Sequence, residues 1–232
     1  MSIKHHIKSE KFFSKEEREL IKKATVDAES RTIGEIAVMV VDHSGMYREA
    51  EIIGSVLSGS LSSLIVTEIL FHVSEKTAEF FFHSTMWLFI PLAVVFFFPF
   101  KALFKSTPSL KFAFVGMKRK EGAVKERALR AFYEKGLYKT KQNTGVLFFL
   151  SLLERKVWVL ADKGIHGKIH QQTLNKFANI VSQGIKEGRA CDALCEAIME
   201  AGEILAKHFP AVESNVDELP DDVIFDSGKE TE

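Results

Sequence analysis

The sequence predicts an α/β fold: an α/β/α sandwich with a small mixed sheet, interrupted by an inserted two-helix transmembrane hairpin. Three observations lead there. Met86 to Phe104 reads MWLFIPLAVVFFFPFKALF, an apolar stretch set between two flanks of ordinary soluble composition. Glu35 to Asp42, EIAVMVVD, is a near-continuous β-branched run of the kind that forms a strand covered on both faces. Two further strand patterns, Val146 to Leu153 and Val157 to Ala161, lie beyond the apolar stretch, joined at Glu154 and Arg155 as a tight antiparallel hairpin. Neither flank has enough strands for a sheet alone, so the first strand must pair with the later two across the insert.

The elements follow in order. Ser14 with Glu17 forms a capping box, and Leu20, Ile21, Ala24 and Ala28 continue an apolar face, which predicts a helix from Lys15 to about Ser30. Arg31 and Glu35 read as a surface pair. After the Glu35 to Asp42 strand comes a loop at 42–45, and then a segment from Ile52 to Phe71 that is apolar but carries five serines and Glu68. Ser55, Gly59 and Ser63 fall four apart on one helical face, the spacing that lets two membrane helices approach closely. The later apolar core, Trp87 to Phe100, is short of the ~20 residues a spanning helix needs and must recruit its neighbours. Pro91 and Pro99 are tolerated in a bilayer helix, where neighbouring groups re-satisfy the freed carbonyls.

Parity excludes a single crossing and leaves zero or two, and the apolar run at 86–104 favours two. A single crossing would leave the halves of the sheet on opposite sides of the membrane, so both segments, about 52–71 and 84–104, are expected to span. The expected divisions are therefore 1–50 and 106–210 for the split α/β domain, 51–105 for the hairpin and 211–232 for an acidic tail. Charge orients the hairpin. Lysines and arginines crowd both flanks, whereas the connection from Phe71 to Thr85 holds Lys76 alone, so the flanks are expected in the cytoplasm. The N-terminus lacks an apolar signal-peptide core.

Beyond the Ser-Thr-Pro-Ser run at 106–109, a basic helix is expected from Met117 to Lys135, with Val124, Ala128, Phe132 and Leu129 inward and Gly136 as its stop. Leu174, Phe177, Ala178, Val181 and Ile185 mark one amphipathic helix, and Leu194, Ile198, Ala201 and Leu205 another. Cys191 and Cys195 sit on that last stripe as reduced core residues, four apart and poorly placed for a disulfide. The tail has eight acids against Lys229, with a docking patch expected around Leu219 to Phe225. The zero formal net charge excludes a strongly basic nucleic-acid binder, and no phosphate loop, nucleophile elbow or His-Glu-x-x-His motif is present.

Three blocks resemble the TPM domain family: TIGEIAVMVVD with GMYREAE, then NTGVLFFLSLLERKVWVLADKGI, and the paired C-terminal helices ending in GEILAKHFP with the ELPDD tail. The resemblance implies an α/β/α module of bacterial envelope proteins and of thylakoid proteins, here in the bacterial inner membrane. It also implies the acid phosphatase activity and metal binding ascribed to some plant relatives. With the strands ending at Asp42 and Ala161 parallel, Asp42 and Asp162 leave the same sheet edge beside Asn143 and Thr144. They are the catalytic candidates, and with Asn143 they are candidate ligands for a divalent cation, Ca²⁺ or Mg²⁺. Where this chain has Asn143 the family often has aspartate, which leaves one anion fewer. His166 and His170 lie four apart, but a zinc site needs a third ligand. The expected function is a membrane-tethered, non-catalytic interaction or accessory module whose partners are the lipid bilayer and a protein. The alternatives are a metal-dependent acid phosphatase and an accessory subunit of a membrane transport or maintenance complex.

Overall fold

The computed structural model describes residues 8–73, 78–211 and 219–227. Two compact units result, Met1–Gly45 with Lys120–Glu232, and Met46–Arg119. The first holds a four-stranded mixed sheet of β1 (Glu35–Val41), β2 (Gly145–Ser151), β3 (Lys156–Ala161) and β4 (Ile224–Asp226) in the order β3-β2-β1-β4. β1 pairs parallel with β2 from Glu35↔Gly145 to Val41↔Ser151, and β2 pairs antiparallel with β3 from Val146↔Ala161 to Ser151↔Lys156.

Every residue of β1 and β2 is buried, as a strand covered on both faces requires. Alternation then sorts the side chains. Ile36, Val38 and Val40 join Phe148 and Leu150 in a core closed by α1 (Lys15–Glu29), α7 (Gln171–Glu187) and α8 (Ala190–His208). Ala37, Met39 and Val41 join Leu147 and Phe149 on the other face, under Val124, Ala128, Ala131 and Phe132 of α5 (Met117–Glu134). Helices therefore cover both faces of the sheet. Both halves of the Ser14–Glu17 capping box form, and Gly136, with φ 77°, follows the end of α5.

Several details differ from the sequence reading. Leu129 faces outward, exposed, because the stripe through Val124, Ala128 and Ala131 already fills the sheet contact. The β2–β3 connection is a four-residue turn at 152–155: the Leu152 and Leu153 amides donate to Val41 and Asp42 carbonyls at 3.0 Å each, so β2 ends at Ser151, two residues before the expected Leu153, while β3 begins at Lys156, one residue before the expected Val157. Arg155 takes a positive φ of 52° in that turn. Arg31 pairs with Asp27 at 3.3 Å, while Glu35 is buried at the head of β1. The docking patch in the tail is a strand. β4 runs parallel to β1, with Met39 opposite Ile224, and the Arg18 guanidinium lies 4.4 Å from the Phe225 ring centroid. Residues 212–218, including Glu218, lie outside the described residues.

The second unit is built on α2 (Arg48–Val73) and α3 (Ala78–Ser106), followed by α4 (Pro108–Ala113). α3 begins six residues before the expected 84, so the expected 71–85 connection is mostly helical; residues 74–77 lie outside the described residues. Arg48–Leu70 and Trp87–Ser106 are each long and apolar enough to cross a membrane. The predicted small-residue stripe forms their seam. A Cβ on Gly59 would sit 3.2 Å from the Phe97 backbone nitrogen, and Ser55 and Ser63 are fully buried. Seam hydroxyls are satisfied locally: Ser63 Oγ donates to the Phe89 carbonyl at 2.8 Å and Thr67 Oγ1 to the Ser63 carbonyl at 2.8 Å. Outward, Val56, Leu61, Leu64, Ile90, Val95 and Phe98 are exposed. The Lys111–Glu51 and Arg119–Glu49 pairs, both 2.8 Å, bind α4 and the exit segment to the first turns of α2, so chain entry and exit lie at the same end of the hairpin.

Gly202 of α8 meets α1 so closely that a Cβ would lie 2.6 Å from Ala28 Cβ and 3.0 Å from Ala28 Cα. Gly202→Ala gains helix propensity but must push the two helices apart, and a net loss of about 1–2 kcal/mol is expected. A lower denaturation midpoint at unchanged m-value checks it; an unchanged or raised midpoint contradicts the packing.

Candidate functional site

The strand directions divide the sequence candidates. Because β1 is parallel to β2 and β3 is antiparallel to β2, the ends of β1 and β3 point to opposite ends of the sheet. Asp42 follows Val41 beside Ser151, whereas the Asp162 amide donates to the Gly145 carbonyl at 2.9 Å at the far end of β2. Six strand steps separate those levels, about 20 Å. The expectation that both acids emerge at one edge is thus corrected: it assumed β1 and β3 parallel, and the short turn between β2 and β3 makes them opposed.

Asp42 is buried and structural in its contacts. Its carboxylate accepts from the Ser9 amide, its own amide donates to the Asp226 carbonyl at 3.1 Å, and its carbonyl accepts from Leu153. Nearby, at the same end of β1 and β2, Glu154 accepts from the Ser44 amide at 3.1 Å and from Ser151 Oγ, and the Ser44 and Ser151 hydroxyls lie 2.7 Å apart. This network ties the loop after β1 to the turn after β2. Arg127 bridges Asp226 and Glu134.

At the other end, Asp162 caps α6 (Lys163–His166), its Oδ1 accepting from the Lys163 amide at 2.6 Å. Its second oxygen, Oδ2, is buried with no protein hydrogen-bond partner. Asn143 lies in the loop before β2 with φ 56°, a left-handed conformation that asparagine tolerates better than most residues. That backbone demand accounts for an amide at this position without a metal. A cation held jointly by Asp42, Asn143 and Asp162 does not fit this arrangement. Among the described residues no group of three His, Cys, Asp or Glu side chains is placed to hold a metal ion.

A carboxyl cluster escaped the sequence reading. Glu29, at the end of α1, accepts from the Ile36 amide at 2.6 Å. Burial raises its pKa to about 9, reinforced by a hydrogen bond with Asp221 and by the charges of Glu35 and Asp221. Glu29 is therefore protonated at neutral pH, with Asp221 of the segment leading into β4 among the groups that raise it. The acidic tail was visible in sequence, but nothing local marked Glu29 as its partner. A separate recess of about 150 Å³, lined by Glu121, Lys156, Trp158, Asn179 and Ser182, lies against edge strand β3, and the Trp158 indole nitrogen is buried with no protein acceptor. None of the sequence candidates lines it. Burial also pushes the Cys191 thiol up to about 12 and raises Cys195, so both suit a reduced packing role.

Residues 101–204 match the family model of the TPM domain, from within α3 to within α8. The resemblance to the TPM domain family is borne out. In fold the chain is similar to the BA42 protein of the psychrophilic bacterium Bizionia argentinensis, known from an NMR structure. The two share 22% identity over 94% of this chain and 97% of that one, with a TM-score of 0.55, a likeness of fold alone. No curated protein matches the chain.

Glu29 carries a proton in the folded state up to about pH 9 that it loses near pH 4.5 when unfolded. Folding therefore takes up a proton between those values, and this group's contribution to stability, complete below pH 4.5, falls as pH rises through the window. In Glu29→Gln the amide keeps the Ile36 hydrogen bond and removes the titrating proton. Denaturation midpoints measured from pH 5 to 9 should fall less steeply in the variant, the difference approaching at most about 1.4 kcal/mol per pH unit. Parallel profiles would contradict the buried-proton assignment.

Proposed function

We propose that this chain is a membrane-tethered TPM-like α/β unit that acts as a non-catalytic interaction or accessory module at the cytoplasmic face of a bacterial inner membrane. The observation that carries the reading is the hairpin's inside-out construction. Small and hydroxylated residues meet in the α2–α3 seam, while Ile52, Leu57, Leu64, Trp87, Val94 and Phe98 are exposed. A helix pair in water would turn those faces inward; a bilayer is the solvent that accepts them. The polar pair at the far end, Glu68 and His72 at 3.4 Å, is exposed and suits the opposite interface. Orientation rests on the excess of lysine and arginine beside Arg48 and Ser106.

A non-catalytic role is supported by the division of the acids. Phosphoryl transfer through one divalent cation needs its ligands within a few ångströms of one another, and the sheet holds Asp42 and Asp162 about 20 Å apart. A protein partner, including one in a transport or maintenance complex, would be met by surfaces such as edge strand β3 and the acidic tail.

Three measurements test the reading. The full chain should resist alkaline carbonate extraction from membranes, and its release would defeat the tether. In a background with Cys191 and Cys195 replaced by alanine, an impermeant thiol reagent on intact cells should label His72→Cys and spare Lys118→Cys; the reverse pattern would invert the orientation. For catalysis, aryl phosphate turnover by the purified chain with Mg²⁺ or Ca²⁺ is expected to stay at background. Turnover abolished by both Asp42→Asn and Asp162→Asn would overturn the non-catalytic assignment.

A further inference from the structure

We propose that the cationic end of the hairpin is a headgroup site for anionic phospholipid, with Lys101 and Lys105 as the principal phosphate-binding residues and Arg48 and Lys118 extending the site. The proposal rests on the membrane insertion argued above. Between Met46 and Arg119, the end of the hairpin at which the chain enters and leaves carries Arg48, Lys101, Lys105, Lys111, Lys118 and Arg119 against Glu49 and Glu51. Both carboxylates are spent. Glu51 holds Lys111 and Glu49 holds Arg119, each at 2.8 Å. Arg48, Lys101, Lys105 and Lys118 are exposed, with no carboxylate partner among the described residues; Arg48 reaches the Met46 sulfur at 3.6 Å.

Lys101 is the most demanding of these cations. It stands four residues before Lys105 on the same face of α3, about 6 Å deeper along the axis. Exposed Phe98 precedes it and exposed Leu103 follows it along α3, so Lys101 sits within the apolar band. Its ammonium lies 5.8 Å from the Phe97 ring centroid, on the side toward which helical geometry leans its stem. Trp87, 77% exposed, marks the other limit of the band about 27 Å from Lys105, close to the thickness of a hydrocarbon core. A like-charged pair four apart is unfavourable without an anion, and an ammonium one turn inside the band needs one more. A phosphodiester drawn to the interface between Lys101 and Lys105 satisfies both, while its acyl chains lie against the exposed apolar face of α3. That continuity of charge and apolar surface selects a lipid phosphate over a soluble one.

The test uses the full chain in nanodiscs of phosphatidylcholine alone or mixed with phosphatidylglycerol, with native mass spectrometry reading the lipids retained on release. Retained lipid should be enriched in phosphatidylglycerol over its bulk share. Lys101→Gln with Lys105→Gln should lower that enrichment roughly tenfold, given the attraction of each cation for an anionic surface, while Lys101→Arg with Lys105→Arg keeps it. Equal retention of both lipids by a chain that resists carbonate extraction overturns this proposal alone. A chain that carbonate releases overturns both this site and the tether. A preference abolished by soluble glycerol phosphate assigns the cations to a free anion and likewise overturns the lipid assignment.

Discussion

The parallel pairing of β1 with β2 is the constraint on which the α/β unit depends. Seven register positions join Glu35–Val41 to Gly145–Ser151, strands separated in sequence by the whole hairpin unit. Both strands are buried on both faces, so each hydrophobic layer exists only once they have met. Closing a connection of this length carries an entropic cost that grows only slowly with chain length. Folding the insert into a hairpin whose ends are tied by Arg119–Glu49 reduces the freedom that remains to be lost. An even number of crossings is the geometry that such an insert demands if it enters a membrane.

Around that pair, the acidic groups serve the joints of the fold. Asp42 receives the Ser9 amide, Glu154 gathers Ser44 and Ser151, Asp162 starts α6, and Glu29, protonated by its burial, closes the Ile36 amide. Buried carboxyl groups are costly unless they are hydrogen-bonded or neutralised, and most of these meet one or both conditions. Oδ2 of Asp162 and Oδ1 of Asp221 are buried without a protein hydrogen-bond partner. The same residues that suggested a cation site when read along the chain act, in space, as separate caps at two ends of the sheet.

The hairpin is built the other way round, with small residues inside and large apolar ones outside. Ser55, Gly59, Ser63 and Thr67 occupy the seam, where small volume allows close approach and each hydroxyl that is buried finds a carbonyl nearby. Larger aliphatic and aromatic side chains remain outside. In the membrane setting proposed for this hairpin, dispersion and local hydrogen bonds are what would hold such a pair together. Charge then collects where the chain leaves the apolar band, partly neutralised by Glu49 and Glu51.

Sequence by itself determined what is set by local pattern. The capped α1, the doubly buried β1, the β2–β3 hairpin, the stripes of α7 and α8, the small-residue seam and the resemblance to the TPM family were all legible, because periodicity, caps and residue volume act over a few positions. Tertiary structure alone decided the direction of β3 relative to β1, which a single turn reverses and which moved Asp42 and Asp162 to opposite ends. It also decided that the tail supplies β4 and that Glu29 meets Asp221, since an edge strand of three residues carries no pattern of its own and a buried carboxyl pair is made by residues nearly two hundred positions apart. Contacts of that range are fixed by the packing of the whole sheet, and no local signal reports them.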